Sequence, residues 1–188
     1  MGRILTLSGV SGSGKTTLAG MFIERMPNAA MVTSYTTRKA RTNDVPGEYN
    51  YVSSGTYDAM ALGGEFLWTA THGSIRHGTK AIDIDVALGK PEGFSIMILV
   101  PNIMQALREY LNARGALQAH VPVYLFCPSE NLIRRRLEHR GDTRESVKKR
   151  IQSERGWDGE AGVSGVPYMY IRNDGPIEAA YKQVRALI

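Results

Sequence analysis

Apolar positions along this chain fall into short continuous runs, and between the runs they recur every three to four residues. Arg3-Ile4-Leu5-Thr6-Leu7 predicts a buried strand, and Thr17 to Arg25 carries helical spacing. Met31-Val32-Thr33-Ser34-Tyr35 predicts a second strand, and Phe94 to Val100 a central one buried on both faces. Pro101-Asn102 opens a helix that runs to about Ala113, with Gly115 as its stop. Val121 to Phe126 predicts another strand, and Ser129 caps the helix that follows. Tyr168 to Ile171 predicts a last strand, and Pro176 sits near the first turn of a C-terminal helix. Strands alternating with helices predict an α/β fold, a parallel sheet with helices on both faces.

Two stretches break this rhythm. Residues 36–88 hold charged turns, the loop Asp44-Val45-Pro46-Gly47, aromatic residues and short alternating segments. They predict a small β-rich lobe inserted into a core of 1–35 and 90–188. Residues from about 140 to 165 are charged and glycine-rich, which predicts a mobile lid. No internal repeat is present, and 188 residues fit one α/β domain.

Composition narrows the classes. At 43% hydrophobic and 22% charged the chain is ordinary globular material, and no apolar run approaches the ~18 residues of a membrane span. The first strand begins at Arg3, so no room for a signal peptide is expected. The single cysteine, Cys127, cannot form an internal disulfide and fits a reducing cytosol, so a cytoplasmic protein is expected. A net charge of +5 favours an anionic ligand without choosing between a nucleotide and a nucleic acid.

The sharpest chemical signal is Gly9-Val10-Ser11-Gly12-Ser13-Gly14-Lys15-Thr16, a complete G-x-x-x-x-G-K-[ST] loop between the first strand and the first helix. Its glycines let backbone N–H groups curl around phosphates, and the helix N-terminus adds a positive end. Lys15 reaches the β/γ oxygens of a nucleoside triphosphate and the Thr16 hydroxyl ligates Mg²⁺. The expected ATP-binding set is Ser11, Gly12, Ser13, Gly14, Lys15, Thr16 and Thr17. A second cationic site follows the second strand: Ser34-Tyr35-Thr36-Thr37-Arg38-Lys39-Ala40-Arg41. Loops at the C-terminal ends of parallel strands face the ligand crevice, and arginine forks match phosphate oxygens bidentately. A loop for donor phosphates beside an arginine pair for an acceptor phosphate points to phosphoryl transfer. The alternative for that segment alone is a solvated basic turn.

With these residues in view, the chain resembles the guanylate kinases. The resemblance is carried by the phosphate loop, Ser34 to Arg41, Tyr49-Asn50-Tyr51-Val52-Ser53, Gly64-Glu65-Phe66-Leu67, His72-Gly73, His77-Gly78-Thr79 and Arg136-Leu137-Glu138-His139-Arg140-Gly141. These occur in family order over nearly the whole chain. The resemblance implies a P-loop NTPase three-layer fold with a central parallel sheet, an inserted β-rich acceptor-binding lobe and a helical lid. It implies ATP and Mg²⁺, and transfer to a nucleoside monophosphate, GMP or dGMP first. It also implies that Arg38, Arg41 and Tyr49 hold the acceptor phosphate and that Ser34 and Thr79 reach the base. Arg136, Arg140 and Arg150 close over the ATP phosphates, and Asn173-Asp174 lie near the adenine. Lys15, Arg38, Arg136, Arg140 and Arg150 form the expected catalytic set.

The family's guanine-reading glutamate falls where this chain has Trp68, and where the family has a helping aspartate in an Asp-Ile-Asp segment after the central strand, the strand here ends Ile98-Leu99-Val100-Pro101-Asn102 with no carboxylate. The family's tyrosine before Gly-Thr is His77, preceded by Arg76. A carboxylate accepts both hydrogen bonds from the guanine edge, so these departures leave the acceptor open. It is guanine read by other groups, another nucleotide stacked on Trp68, or an acceptor without a base such as ribose 1,5-bisphosphate. Trp68 reads equally as core filler. His77 remains able to donate to phosphate. Asp83 and Asp85 either replace the lost carboxylates or sit on a solvated helix face.

An acceptor phosphate is already a nucleophile at neutral pH, so no general base is required, and no Ser/His/Asp set is evident. His72, His77, His120 and His139 lack metal-ligand spacing. The rival classes are a peptide-binding guanylate-kinase-like scaffold, against which the intact Gly14-Lys15-Thr16 argues, and a kinase acting on nucleic acid, against which the absence of an extra basic tract argues. A small-molecule substrate, no membrane partner and a monomer or homodimer are expected.

Overall fold

The computed structural model describes the backbone of residues 1–188 and every side chain except that of His72, one of the residues quoted for the resemblance. In chain order the elements are β1 (Arg3–Ser8), α1 (Lys15–Arg25), β2 (Ala29–Met31), β3 (Ser34–Thr36), β4 (Tyr49–Tyr51), α2 (Ser54–Leu62), β5 (Phe66–His72), β6 (Ile75–Lys80) and α3 (Ala81–Leu88). There follow β7 (Phe94–Ile98), α4 (Met104–Ala113), β8 (His120–Phe126), α5 (Glu130–His139), α6 (Arg144–Ser153), α7 (Trp157–Val163), β9 (Met169–Arg172) and α8 (Ile177–Arg185).

Five strands form a parallel sheet in the order β2-β7-β1-β8-β9. Strand β1 is central, with Leu7 paired to Ile98 on one side and Val123 on the other. Alternate residues of a strand face opposite sides, so one sheet serves two cores. Leu5 and Leu7 join Leu18 and Phe22 of α1 and Tyr181 and Val184 of α8 on one face. Ile4 and Tyr124 join Ile84 of α3 and Met104, Leu107 and Leu111 of α4 on the other. The result is helix, sheet, helix, and it places the ends of β1, β7 and β8 at the switch point where ligands bind in open α/β sheets.

A second, four-stranded sheet, β4-β3-β6-β5, carries the lobe. The single strand expected at 31–35 is divided between the two sheets. The N–H of Val32 still bonds Ile96 of the first sheet, whereas that of Ser34 bonds Glu48 of the second. Thr33 is the joint, its hydroxyl donating to the Gly47 carbonyl at 2.9 Å. A continuous β-pattern in sequence hid this, because both halves are extended and only the partner changes. The lobe also contains α2, which the sequence pattern did not signal. Ser53 caps it by accepting from the Thr56 N–H, but only Tyr57 and Met60 are buried, too few for visible periodicity. The central strand ends at Ile98 and not at Val100, because Pro101–Ile103 forms a single 3₁₀ turn before α4.

The 140–165 stretch is largely helical. Thr143 caps α6 by accepting from the Ser146 N–H, and Val147 packs with Ile133 and Leu137 of α5. Helix α7 is tied to the sheet by Ala161 in the second core and by the Tyr124 hydroxyl, which donates to Asp158 at 2.7 Å. No helix is long and apolar enough to cross a membrane among the described residues.

Candidate active site

A cleft of about 690 Å³ opens between the end of the parallel sheet, the lobe and helices α5 to α7. That is the size range of small-molecule sites. Its donor wall is the loop between β1 and α1. Gly9 has φ +133° and Gly14 φ +104°, both left-handed. A Cβ at Gly14 would lie 2.5 Å from the Asn173 amide, and one at Gly9 would run into the Leu125 carbonyl oxygen, so the loop closes this tightly only with glycine. Ser11, Gly12, Gly14, Lys15, Thr16 and Thr17 line the cleft. Ser13 lies beneath them, fully buried.

Lys15 begins α1, and its ammonium is turned into the loop, donating to the carbonyls of Gly9 at 2.6 Å and Val10 at 2.9 Å. Burial of that charge pulls its pKa down to about 8, with the nearby Glu154 carboxylate opposing the fall. The loop is anchored to the ends of β8 and β9. Asn173 donates through its side-chain amide to Ser13 at 2.7 Å, and its own N–H bonds Phe126. Arg136 of α5 donates to the Asn173 carbonyl at 3.0 Å and the Gly12 carbonyl at 3.3 Å. The Asn173 carbonyl oxygen of the side chain is buried at the cleft wall without a hydrogen-bond partner among the described residues.

The acceptor wall is built from side chains. Arg38, Arg41, Tyr49 and His77 line it, with Asn43, Asp44 and Glu48 beside them. Arg38 donates to Asp44 at 2.8 Å, in a pair whose side chains are only 9% and 13% exposed. Asp44 also accepts from the Arg41 N–H at 2.7 Å and from the Tyr51 hydroxyl at 2.6 Å. These donors hold its carboxyl below the ordinary aspartate range although burial opposes them. The Arg38 guanidinium sits over the Tyr49 ring at 5.0 Å, and His77 packs against Tyr49 at a tilt with centroids 5.6 Å apart. Burial beside Glu48 raises the Tyr49 phenol, which stays protonated at any physiological pH.

Arg140, Arg150 and Arg136 complete the cleft from the helical side. Arg41 registers their convergence. Burial lowers its pKa first, and Arg38, Arg140 and Arg150 lower it further. Four guanidinium groups crowded enough to repel one another are a site built for anions.

Three residues expected at the acceptor lie elsewhere. Trp68 is 8% exposed and packs in the second core with Ile4, Val32 and Met97, so the core-filling alternative describes its place. Ser34 and Thr79 bond each other through their hydroxyls at 2.9 Å, and neither lines the cleft among the described residues. Asp85 is paired with Arg114 at 2.7 Å, between α3 and α4, and Asp83 lies on α3 near Lys80. Neither reaches the cleft, and Asp174 is taken up by Arg172.

Four carboxylates on the cleft wall escaped the sequence reading: Asp44, Glu48, Glu154 and Glu160. Asp44 is the lone acid within four residues of Arg41 and was visible as such. Glu48 precedes Tyr49 and is 6% exposed. Glu154 follows α6, one turn beyond Arg150, and is 3% exposed. Nothing in the charged run around it distinguishes it from its solvated neighbours.

Comparison with known proteins adds three findings. The model of the guanylate kinase family matches residues 1–188. The guanylate kinase of Myxococcus xanthus is 28% identical over 190 residues, covering 100% of this chain and 86% of that protein, and that of Oleidesulfovibrio alaskensis is 32% identical, covering 98% and 85%. The crystal structure of guanylate kinase from Anaplasma phagocytophilum superposes with a TM-score of 0.68 at 19% identity, over 99% of this chain and 84% of that one, a likeness of fold.

Proposed function

The chain belongs to the guanylate kinase family, and on that premise we propose the residue roles by which it moves the γ-phosphoryl group of ATP to GMP, giving ADP and GDP. One observation carries the assignment. A single cleft is lined at once by Lys15 in its phosphate loop, by Arg38, Arg41 and Tyr49, and by Arg136, Arg140 and Arg150.

The loop N–H groups and Lys15 take the β- and γ-phosphates of ATP. Asn173, with its free side-chain oxygen, takes the nucleoside end. Arg38, Arg41 and Tyr49 hold the phosphate of the acceptor, GMP or dGMP, with His77 beside them. Position 68 offers no carboxylate, so guanine is read by neutral groups of the lobe and strand ends, among which Thr71 and Asn102 line the cleft. Phosphoryl transfer asks the protein for alignment and charge neutralisation more than for covalent chemistry. Arg140 and Arg150 stabilise charge on the group in transit, and residues 140–165 act as a lid that excludes water, the competing acceptor.

The residues also fit Mg²⁺. Thr16 lines the cleft at the start of α1 and is the one protein ligand we assign. An ion at this place would be held by the Thr16 hydroxyl together with phosphate oxygens and water. When bound, it neutralises phosphate charge. The lone, buried Cys127 supports a cytoplasmic setting.

The test is release of ADP from ATP and Mg²⁺ with GMP, dGMP, AMP, CMP, UMP or ribose 1,5-bisphosphate as acceptor. GMP and dGMP support turnover. Turnover with another acceptor and none with GMP would overturn the acceptor assignment.

A further inference from the structure

The phosphate loop already holds an anion of the protein's own. Glu154 turns its carboxylate onto Ser11, accepting from the Ser11 N–H through one oxygen and from its hydroxyl through the other at 2.7 Å. Ser11 lies within the G-x-x-x-x-G-K-[ST] loop, whose N–H groups are what a polyphosphate binds. Glu154 is 3% exposed and lines the same cleft as Lys15 and Thr16. Its charge also reaches Lys15, whose ammonium bonds loop carbonyls. A structural carboxylate would be expected to pair with a cation or a helix end. This one sits on a main-chain donor of the phosphate loop.

Its neighbour on the helix makes the contact directional. Arg150 lies one turn earlier on α6 and approaches the same Ser11 hydroxyl at 3.4 Å, with its Nε buried and without a partner among the described residues. The end of α6 thus brings to one serine both a carboxylate that repels phosphate and a guanidinium that attracts it.

We propose that Glu154 is an internal competitor for the phosphate loop, which ATP must displace from Ser11. The carboxylate and the triphosphate bid for the same N–H and cannot share it, since two anions at that separation repel. Displacement moves the end of α6 and leaves Arg150 facing the incoming phosphates, so nucleotide binding and movement of the helical lid become one event. The cost of displacement weakens ATP binding by the fraction of molecules in which Ser11 is free. The acceptor wall has no part in it.

This inference rests on the donor-site reading above, and one set of titrations separates the two. Calorimetry with a non-hydrolysable ATP analogue and Mg²⁺ is run on the full chain and on Glu154→Gln and Glu154→Ala. Both variants bind the analogue about fivefold or more tightly than the parent, while the affinity for GMP stays unchanged. Absence of analogue binding to the parent overturns the donor site itself. Binding to the parent that the variants leave equal or weaker overturns the competition and keeps the donor site. Should those two variants fail to fold, Glu154→Met, which keeps the length of the side chain without its charge, gives the same two outcomes. Trp157 adds a structural readout, since it lines the cleft three residues beyond Glu154 while Trp68 lies in the core. Emission of Glu154→Gln before nucleotide matches the nucleotide-saturated parent; emission matching the nucleotide-free parent overturns the proposal.

Discussion

On the donor side of the cleft the binding groups are main-chain N–H groups fixed by left-handed glycines and anchored to β8 and β9 through Asn173 and Arg136. On the acceptor side they are long side chains on a separate sheet, and what positions them is another side chain, Asp44, with its three donors. The first arrangement is part of the fold, since the loop cannot lose its shape without disturbing β1 and α1. The second is a network of partners. Removing one member of a buried charged pair costs about 3–5 kcal/mol, because the other is left uncompensated. The donor side should therefore fail through loss of its one essential charge, and the acceptor side through loss of aim.

The largest effect belongs to Lys15. Lys15→Ala removes the one side-chain cation that the phosphate loop itself carries, and turnover falls by about 10²–10³-fold or more. Steady-state kinetics at saturating ATP and GMP measure it. Turnover within tenfold of the parent would show that the loop N–H groups suffice, and would break the contrast drawn above.

Next in size is Arg38. A charged hydrogen bond contributes roughly 1.5–3 kcal/mol, which is about 10- to 100-fold in affinity. Arg38→Ala raises the KM for GMP by that factor and leaves ATP affinity in place. Asp44→Asn keeps the shape of the partner but removes its charge, and shifts the KM for GMP in the same direction by a smaller factor. An Asp44→Asn enzyme with unchanged KM would mean that Arg38 aims itself, and the acceptor wall would be as self-supporting as the donor wall.

This contrast also decides what the sequence could disclose. The donor wall was legible because its requirements are local. Glycines at left-handed positions, Lys15 and Thr16 follow one another within one turn between a strand and a helix. The layered core was legible for the same reason, since Leu5 and Leu7 against Ile4 show the alternation of a strand with two covered faces. Arg38, Arg41 and Tyr49 were visible as a cationic segment, but the split of residues 29–36 between two sheets was not, because an extended run does not state its partner. Trp68 was ambiguous on its own, as a large aromatic serves stacking and core equally, and only its neighbours decide. Glu154 was invisible, because its meaning lies in a contact with Ser11, 143 residues away.

A smaller effect comes from pH. Burial holds the Lys15 pKa near 8, far below an ordinary lysine. A cation with a lowered pKa loses its charge on the alkaline side, so kcat/KM for ATP, which reports the free enzyme, holds to about pH 8. Above that it falls about tenfold per unit. The KM for GMP, set by guanidinium groups, shows no such limb. A profile flat to pH 9.5 would place the Lys15 ammonium in a more solvated position than the loop carbonyls give it.

The smallest effect concerns stability and touches the parallel sheet that carries the donor wall. His120 opens β8 beside Ile4 at the start of β1, 8% exposed, with Nε2 bonded to the Thr6 hydroxyl of β1 at 2.9 Å and Nδ1 without a partner among the described residues. Burial, with Arg108 adding to it, lowers its pKa to about 3, so the folded protein keeps the ring neutral while the unfolded chain protonates near pH 6.5. Between those values the unfolded state binds the extra proton, so stability is fully present above about pH 6.5 and falls toward acid by about 1.4 kcal/mol per unit. Urea midpoints at pH 7 and pH 5.5 measure the slope, and His120→Gln, which cannot titrate, flattens it. His77 of the lobe sheet is only half-buried, so amide exchange in acid loosens β1 and β8 before β3 and β6. Equal loosening of both sheets would make the two walls one cooperative unit, and the separate failure of donor and acceptor sides would then have to be sought in kinetics alone.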